Sequence, residues 1–123
     1  MIHSKLLIVI PAYNEFKTIS KIVQQCKKYG EVLVVNDGSK DKTGVIAADA
    51  GAHVITNSIN LGYEAALNNG YAYAKKNKFE ILITIDADGQ FPVLKVPEFY
   101  NEIVNGAVLV VGRRQKLHRL TEI

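Results

Sequence analysis

The chain has 123 residues, room for one domain with one core. Apolar residues make up 48% and charged residues 22%, an ordinary globular balance, and no apolar run approaches the roughly 20 residues of a membrane-spanning helix. The formal net charge of +3 is too mild to argue for nucleic acid, and the single cysteine, Cys26, excludes an internal disulfide. A start at Met1-Ile2-His3-Ser4-Lys5 without signal-peptide anatomy, together with that cysteine count, points to the cytoplasm.

Residues 6–10 are a continuous apolar run closed by Pro11, the pattern of a strand buried on both faces. Asn14 is placed to cap a helix, with Glu15 in its first turn and Ile19, Ile22, Val23 and Cys26 at helical spacing up to Gly30. Cys26 on that apolar stripe reads as core filler. Residues 32–35 form a second strand, followed by the polar turn Asn36-Asp37-Gly38-Ser39-Lys40-Asp41 and a short helix over 43–50 that Gly51 stops. Residues 53–56 are a third strand and 57–60 a loop. The helix over 63–76 carries Ala66, Gly70 and Ala74 on one face, small enough for a close approach to the sheet.

The fourth strand, 80–85, runs directly into Asp86-Ala87-Asp88-Gly89-Gln90. A broken helical stretch follows Pro92, with Pro97 in the first turn of a helix reaching 104. Residues 107–111 are a fifth strand, ending at Gly112-Arg113-Arg114. Alternating strands and helices predict an α/β fold, a mostly parallel sheet with helices on both faces joined by right-handed crossovers. Ligands of such sheets bind beyond the carboxyl ends of the strands. Pro11–Glu15, the Asn36–Ser39 turn, Asp86–Asp88 and Gly112–Arg114 all follow strand ends, so they should meet at one edge.

Asp86 and Asp88 are two residues apart in an extended segment, so both carboxylates can face one point, where they repel unless a proton or cation intervenes. Mg²⁺ and similar hard cations take one or two carboxylates plus phosphate oxygens, and Gln90 could add a carbonyl. A D-x-D pair alone also fits a plain strand-end turn; its place at the shared edge favours the metal. Asp41 reads as a helix cap, and Asp37 as a carboxylate for a base or ribose. Asn60-Leu61-Gly62 either caps the next helix or offers free amides to a phosphate. Arg113 and Arg114 suit either a diphosphate or a solvated strand end. Likewise the basic cluster from Arg113 to Arg119 reads as a solvated tail or a phosphate- or membrane-facing patch. The tyrosines at 63, 71 and 73 read as packing residues, and the three histidines show no ligand spacing. No Gly-rich phosphate loop or dinucleotide fingerprint follows the first strand, and no nucleophile elbow occurs.

In this order, Ile8-Val9-Ile10-Pro11-Ala12-Tyr13-Asn14-Glu15, Val34-Val35-Asn36-Asp37-Gly38-Ser39-Lys40-Asp41-Lys42-Thr43, Asn60-Leu61-Gly62, Asp86-Ala87-Asp88-Gly89-Gln90 and Gly112-Arg113 resemble the family 2 glycosyltransferases of GT-A fold. The likeness is greatest to the dolichol-phosphate mannose synthase and polyprenyl-phosphate glycosyltransferase branch. It implies that Pro11, Ala12, Tyr13, Asn14, Glu15, Asn36, Asp37 and Gly38 line a nucleotide pocket. Asn60, Gly62, Ala87 and Arg113 complete the substrate contacts. Asp86, Asp88 and Gln90 would hold Mg²⁺ or Mn²⁺ against the diphosphate of a UDP- or GDP-sugar. The family inverts the anomeric centre by direct displacement, with a carboxylate base for hydroxyl acceptors and less need of one for a lipid phosphate. Asn36 stands where the family often has an aspartate.

The resemblance assigns residues 1–114 to the donor-binding part and 115–123 to a basic tail leading to an acceptor-binding part, where the usual base lies. An enzyme of that kind, with a peripheral place at the cytoplasmic membrane face, is the first expectation. A nucleotide-sugar-binding module without turnover is the second, and a nucleotidyltransferase the third. Apolar surface left by a half-length domain would favour a homo-oligomer.

Overall fold

The computed structural model describes residues 6–89, 92–104 and 110–111. Five parallel strands, β1 (Leu6–Ala12), β2 (Glu31–Asp37), β3 (His53–Asn57), β4 (Ile81–Thr84) and β5 (Val110–Val111), lie in the order β3-β2-β1-β4-β5. The chain winds outward from β1 to β3 and then returns to β4 on the other side of β1. The order therefore reverses between β1 and β4, and a crevice at the carboxyl ends of these strands is where such sheets bind ligands.

Both faces of the sheet are covered, as the unbroken apolar runs require. On one face Leu6, Ile8, Ile10, Val32, Val34 and Ile83 pack against α1 (Ile19–Cys26), α2 (Thr43–Asp49) and α4 (Val96–Val104). On the other, Leu7, Val9, Leu33, Val35 and Leu82 pack against α3 (Tyr63–Lys76). Tyr71 and Tyr73 join this second cluster, as packing residues. A short 3₁₀ turn, Val93–Lys95, leads into α4, with Pro97 in the first turn of that helix, where its missing N–H costs nothing.

Helix α1 buries Ile19, Ile22, Val23 and Cys26. Cys26 is fully enclosed, and burial pushes its thiol up to about 12, so it fills space. Helix α3 buries Ala66, Gly70 and Ala74. A Cβ on Gly70 would stand 2.7 Å from Val9 Cγ1, so this glycine sets how close the helix lies to β1.

Several boundaries differ from the sequence expectation. Strand β1 continues through Pro11 and Ala12, paired with Val35 and Asn36 of β2. Hydrogen bonding alternates sides along a strand. Val9 accepts the Ile85 amide on the β4 side, so the next donor wanted there falls at Pro11, beyond the end of β4 at Thr84. Asn14 does not cap α1. It sits at φ 55, and the helix begins at Ile19 after an N-cap at Thr18. Glu15 accordingly precedes the first turn of the helix. Asn60 does not cap α3, whose N-cap is Gly62 without a side-chain hydrogen bond. Of the expected fifth strand, 107–109 lie outside the described residues.

Candidate functional site at the carboxyl edge of the sheet

Three connections and one strand end meet beyond β1, β2 and β4, and their polar side chains are largely spent on one another. The Asn14 amide donates to Ser39 Oγ at 2.9 Å, and Asn14 Oδ1 accepts from the Lys40 amide at 2.8 Å. The Glu15 amide donates to Thr43 Oγ1 at 2.8 Å, and the Phe16 amide to Asp41 Oδ2 at 3.4 Å. These bonds stitch the β1–α1 loop to the β2–α2 loop. They also account for the left-handed backbone of Asn14, a residue type that tolerates it. Asp41 accepts from the amide and hydroxyl of Thr43 and so caps α2 from two residues before its start. Burial works to raise the Asp41 carboxyl, but the bonds from Thr43 and the Phe16 amide hold it below its usual range.

Asn36 and Asp37 are the last residues of β2 and are 7% and 5% exposed. Asn36 Oδ1 accepts the Ser39 amide at 3.3 Å. Its Nδ2 lies so near α2 that a Cβ on Gly44 would come within 2.6 Å of it. The Asp37 carboxylate takes the Leu61 amide at 2.9 Å, the Gly62 amide at 2.9 Å and Asn57 Nδ2 at 3.0 Å. Burial pushes its pKa up, and these three donors outweigh burial and bring it down. The Leu61 and Gly62 amides are therefore bound to Asp37 rather than open to a phosphate, which corrects that alternative for Asn60-Leu61-Gly62. Gly38 turns the chain at φ +74, and a Cβ there would stand 2.4 Å from the Asn60 nitrogen; no other residue fits both demands.

The β4 end is tied in by Thr18, whose hydroxyl donates to the Ala87 carbonyl. Ala87 is buried, Asp86 half-buried and Asp88 exposed. Glu15 is half-buried beside them, and its carboxyl is raised first by burial, then by the nearby charges of Asp88, Asp41 and Asp86. Four carboxylates from three loops thus share one field. Among the described residues no group of three or more Asp, Glu, His or Cys side chains is placed to hold a metal ion. Tyr13, Ile59 and Leu61 present exposed apolar surface on the same edge. Gln90 and Arg113 lie outside the described residues. Sequence reasoning did not single out Thr18, and it placed Thr43 in the turn after β2 without its hydroxyl's part in joining the loops. A threonine placed just before an apolar helical stripe was the available signal.

The family model for glycosyl transferase family 2 matches residues 7–118. The chain belongs to glycosyl transferase family 2. Within that family it is 36% identical over 113 residues to an uncharacterised protein of Methanocaldococcus jannaschii, covering 89% of this chain and 46% of that protein. It is 29% identical over 120 residues to the polyprenol monophosphomannose synthase of Mycolicibacterium smegmatis, covering 89% and 45%. The chain thus spans about half the length of these curated relatives. Glucosyl-3-phosphoglycerate synthase of Mycobacterium tuberculosis, solved with UDP, superimposes with a TM-score of 0.70 at 26% identity, covering 82% of this chain and 40% of that one. A second structure of that enzyme, with Mn²⁺, UDP-glucose and phosphoglyceric acid, gives 0.68 at 25% identity, covering 82% and 39%. This family 2 chain therefore has the α/β nucleotide-sugar fold of glycosyltransferases, and among its described residues no helix is long and apolar enough to cross a membrane.

Proposed function

We propose that residues 1–114 are the donor-binding part of a metal-dependent, inverting glycosyltransferase that takes a nucleotide-diphosphate sugar. The observation that carries this reading is the shared field of Glu15, Asp41, Asp86 and Asp88 at the reversal of the strand order. Carboxylates gathered from several loops repel one another, which favours any cation that enters. The donor set is all oxygen, as Mg²⁺ and Mn²⁺ prefer, and two carboxylates suffice when diphosphate oxygens and water complete the shell. Asp86 and Asp88 would hold the ion, joined by Gln90. Bound there, it would neutralise the charge gathering on the departing diphosphate.

The remaining residues bind and orient. The Pro11–Glu15 segment, Asn36, Asp37 and Gly38 form the nucleotide side, and Asn60 and Gly62 bound it from the β3–α3 loop. Asp37 acts through that loop, because its carboxylate is committed to the Leu61 and Gly62 amides. Ala87 sets the backbone between the two aspartates, and Arg113 would pair with diphosphate oxygens. UDP is the first nucleotide to test, since a similar fold is solved with it. A polyprenyl phosphate is the acceptor suggested by the mannose synthase relative.

Calorimetry with UDP and GDP, with and without Mn²⁺, tests the proposal. Binding should depend on the metal, disappear in Asp88→Ala, and weaken as pH falls toward the raised range of Glu15. Equal affinity with and without metal would remove the cation from the account. A nucleotide-sugar-binding module without turnover is the second reading, favoured by the lack, among the described residues, of any group of three or more Asp, Glu, His or Cys side chains placed to hold a metal ion. Binding without sugar transfer or donor hydrolysis by this chain would select it.

A further inference from the structure

A threonine at the N-cap of a helix ordinarily turns its hydroxyl oxygen back to accept an amide of the first turn. Thr18 stands at the N-cap of α1 and makes no such bond. Its hydroxyl has one proton to give and three acceptors within reach: the Glu15 carbonyl at 3.5 Å, Glu15 Oε2 at 3.4 Å and the Ala87 carbonyl at 2.5 Å. The last is the shortest, so the proton goes to a residue 69 positions away, in the turn after β4. Thr18 Cγ2 lies 3.5 Å from where a Cβ on Gly89 would stand, so both branches of the side chain face that turn. A β-branched side chain engaged at both branches keeps one rotamer.

The register of β4 with β1 runs to Thr84 opposite Val9, and the Ile85 amide still reaches the Val9 carbonyl at 2.9 Å. Two residues on, Thr18 holds the carbonyl of the peptide that joins Ala87 to Asp88. That peptide is planar, so fixing its oxygen restricts the rotation on either side of it, ψ of Ala87 and φ of Asp88. Those two rotations set where the Asp88 carboxylate stands relative to that of Asp86. Asp88 is exposed and Asp86 half-buried, so packing by itself orients Asp88 least. The hydroxyl thus serves the D-x-D turn instead of its own helix. A local preference given up for a contact across the fold points to a use at the far end of that contact.

We propose that Thr18 is a positioning residue for the cation, its hydroxyl setting the spacing of the Asp86 and Asp88 carboxylates through the Ala87 carbonyl. The proposal rests on those two aspartates being the metal pair. Removing a group that orients metal ligands from behind typically costs about 10–100-fold in metal affinity. A tie between loops without that role changes stability alone.

The experiment measures Mn²⁺ affinity in the presence of UDP, from the loss of the free-ion signal in electron paramagnetic resonance. The chain is compared with its Thr18→Val, Thr18→Ala and Thr18→Ser variants, and urea denaturation gives the stability of each. Thr18→Val keeps the shape and loses the hydroxyl, and it should bind Mn²⁺ about tenfold more weakly while still folded. Thr18→Ser keeps the hydroxyl and should restore the affinity, and Thr18→Ala serves if the valine variant does not fold. A valine variant that is less stable but binds Mn²⁺ as the unaltered chain does would overturn the proposal and leave the metal pair standing. A serine variant as weak as the valine variant would overturn it too, because the hydroxyl would not be the group that matters. If the unaltered chain takes up no Mn²⁺, the metal pair itself fails, and the role of Thr18 with it.

Discussion

The carboxylate of Asp37 accepts three hydrogen bonds while 5% exposed, and none of them comes from a neighbour in sequence. Its partners lie in β3 and in the loop after it, so the residue joins β2 to the wall of the nucleotide side. Replacing it by alanine strands the Leu61 and Gly62 amides and leaves Asn57 Nδ2 with its bond to Asn69 Oδ1 alone. Hydrogen bonds to a charged group are worth roughly 1.5–3 kcal/mol each, so Asp37→Ala should cost about 2 kcal/mol or more, measured by urea denaturation. The pH dependence has a fixed sign. A carboxyl held below its ordinary value stabilises the fold above the unfolded value, about 3.9, and loses that contribution as pH falls through the folded one. Asp37→Asn should therefore flatten the acid limb of the stability profile below about pH 4. The sequence marked Asp37 as a strand-end carboxylate in need of a role. It could not say that two amides 24 and 25 residues away would take it.

Helix α3 is the element whose sequence and structure agree most closely. Its buried face was legible because the small residues Ala66, Gly70 and Ala74 recur at helical spacing. The physical content of that stripe is the contact of Gly70 with Val9. Gly→Ala in a helix ordinarily gains close to 1 kcal/mol, but here the new methyl would meet a stiff, fully buried valine at 2.7 Å. Overpacking of about 1–3 kcal/mol should win, and thermal melting of Gly70→Ala should show a Tm lowered by several degrees. Helix α1 was less legible. Its apolar stripe gave the buried face correctly, while Asn14 gave the wrong start because its side chain bonds the Lys40 amide in another loop. Caps chosen from sequence assume that a polar residue serves its own helix. At a loop crossing it can serve the next one.

The molecule as a whole brings Glu15, Asp41, Asp86 and Asp88 into one field because the strand order reverses between β1 and β4. A ligand that occupies such an edge holds three loops at once, so donor binding should show in global stability. A nucleotide-sugar present at 100 times its dissociation constant adds about 2.7 kcal/mol, a readable shift in a thermal screen with and without Mn²⁺. If no UDP- or GDP-sugar shifts the midpoint in either condition, the donor reading fails at this scale.

The α/β class, the family and the four strand-end clusters were present in the sequence, because buried parallel strands need long apolar runs and turns need Gly, Asn and Asp at fixed places. Tertiary structure decided what each polar side chain does. Asp37, Asn14 and Asp41 bond to backbone amides of other loops, a choice set by which strand ends lie side by side. Local sequence carries the period and the turn chemistry, whereas the strand order that makes neighbours of distant loops exists only in the folded sheet.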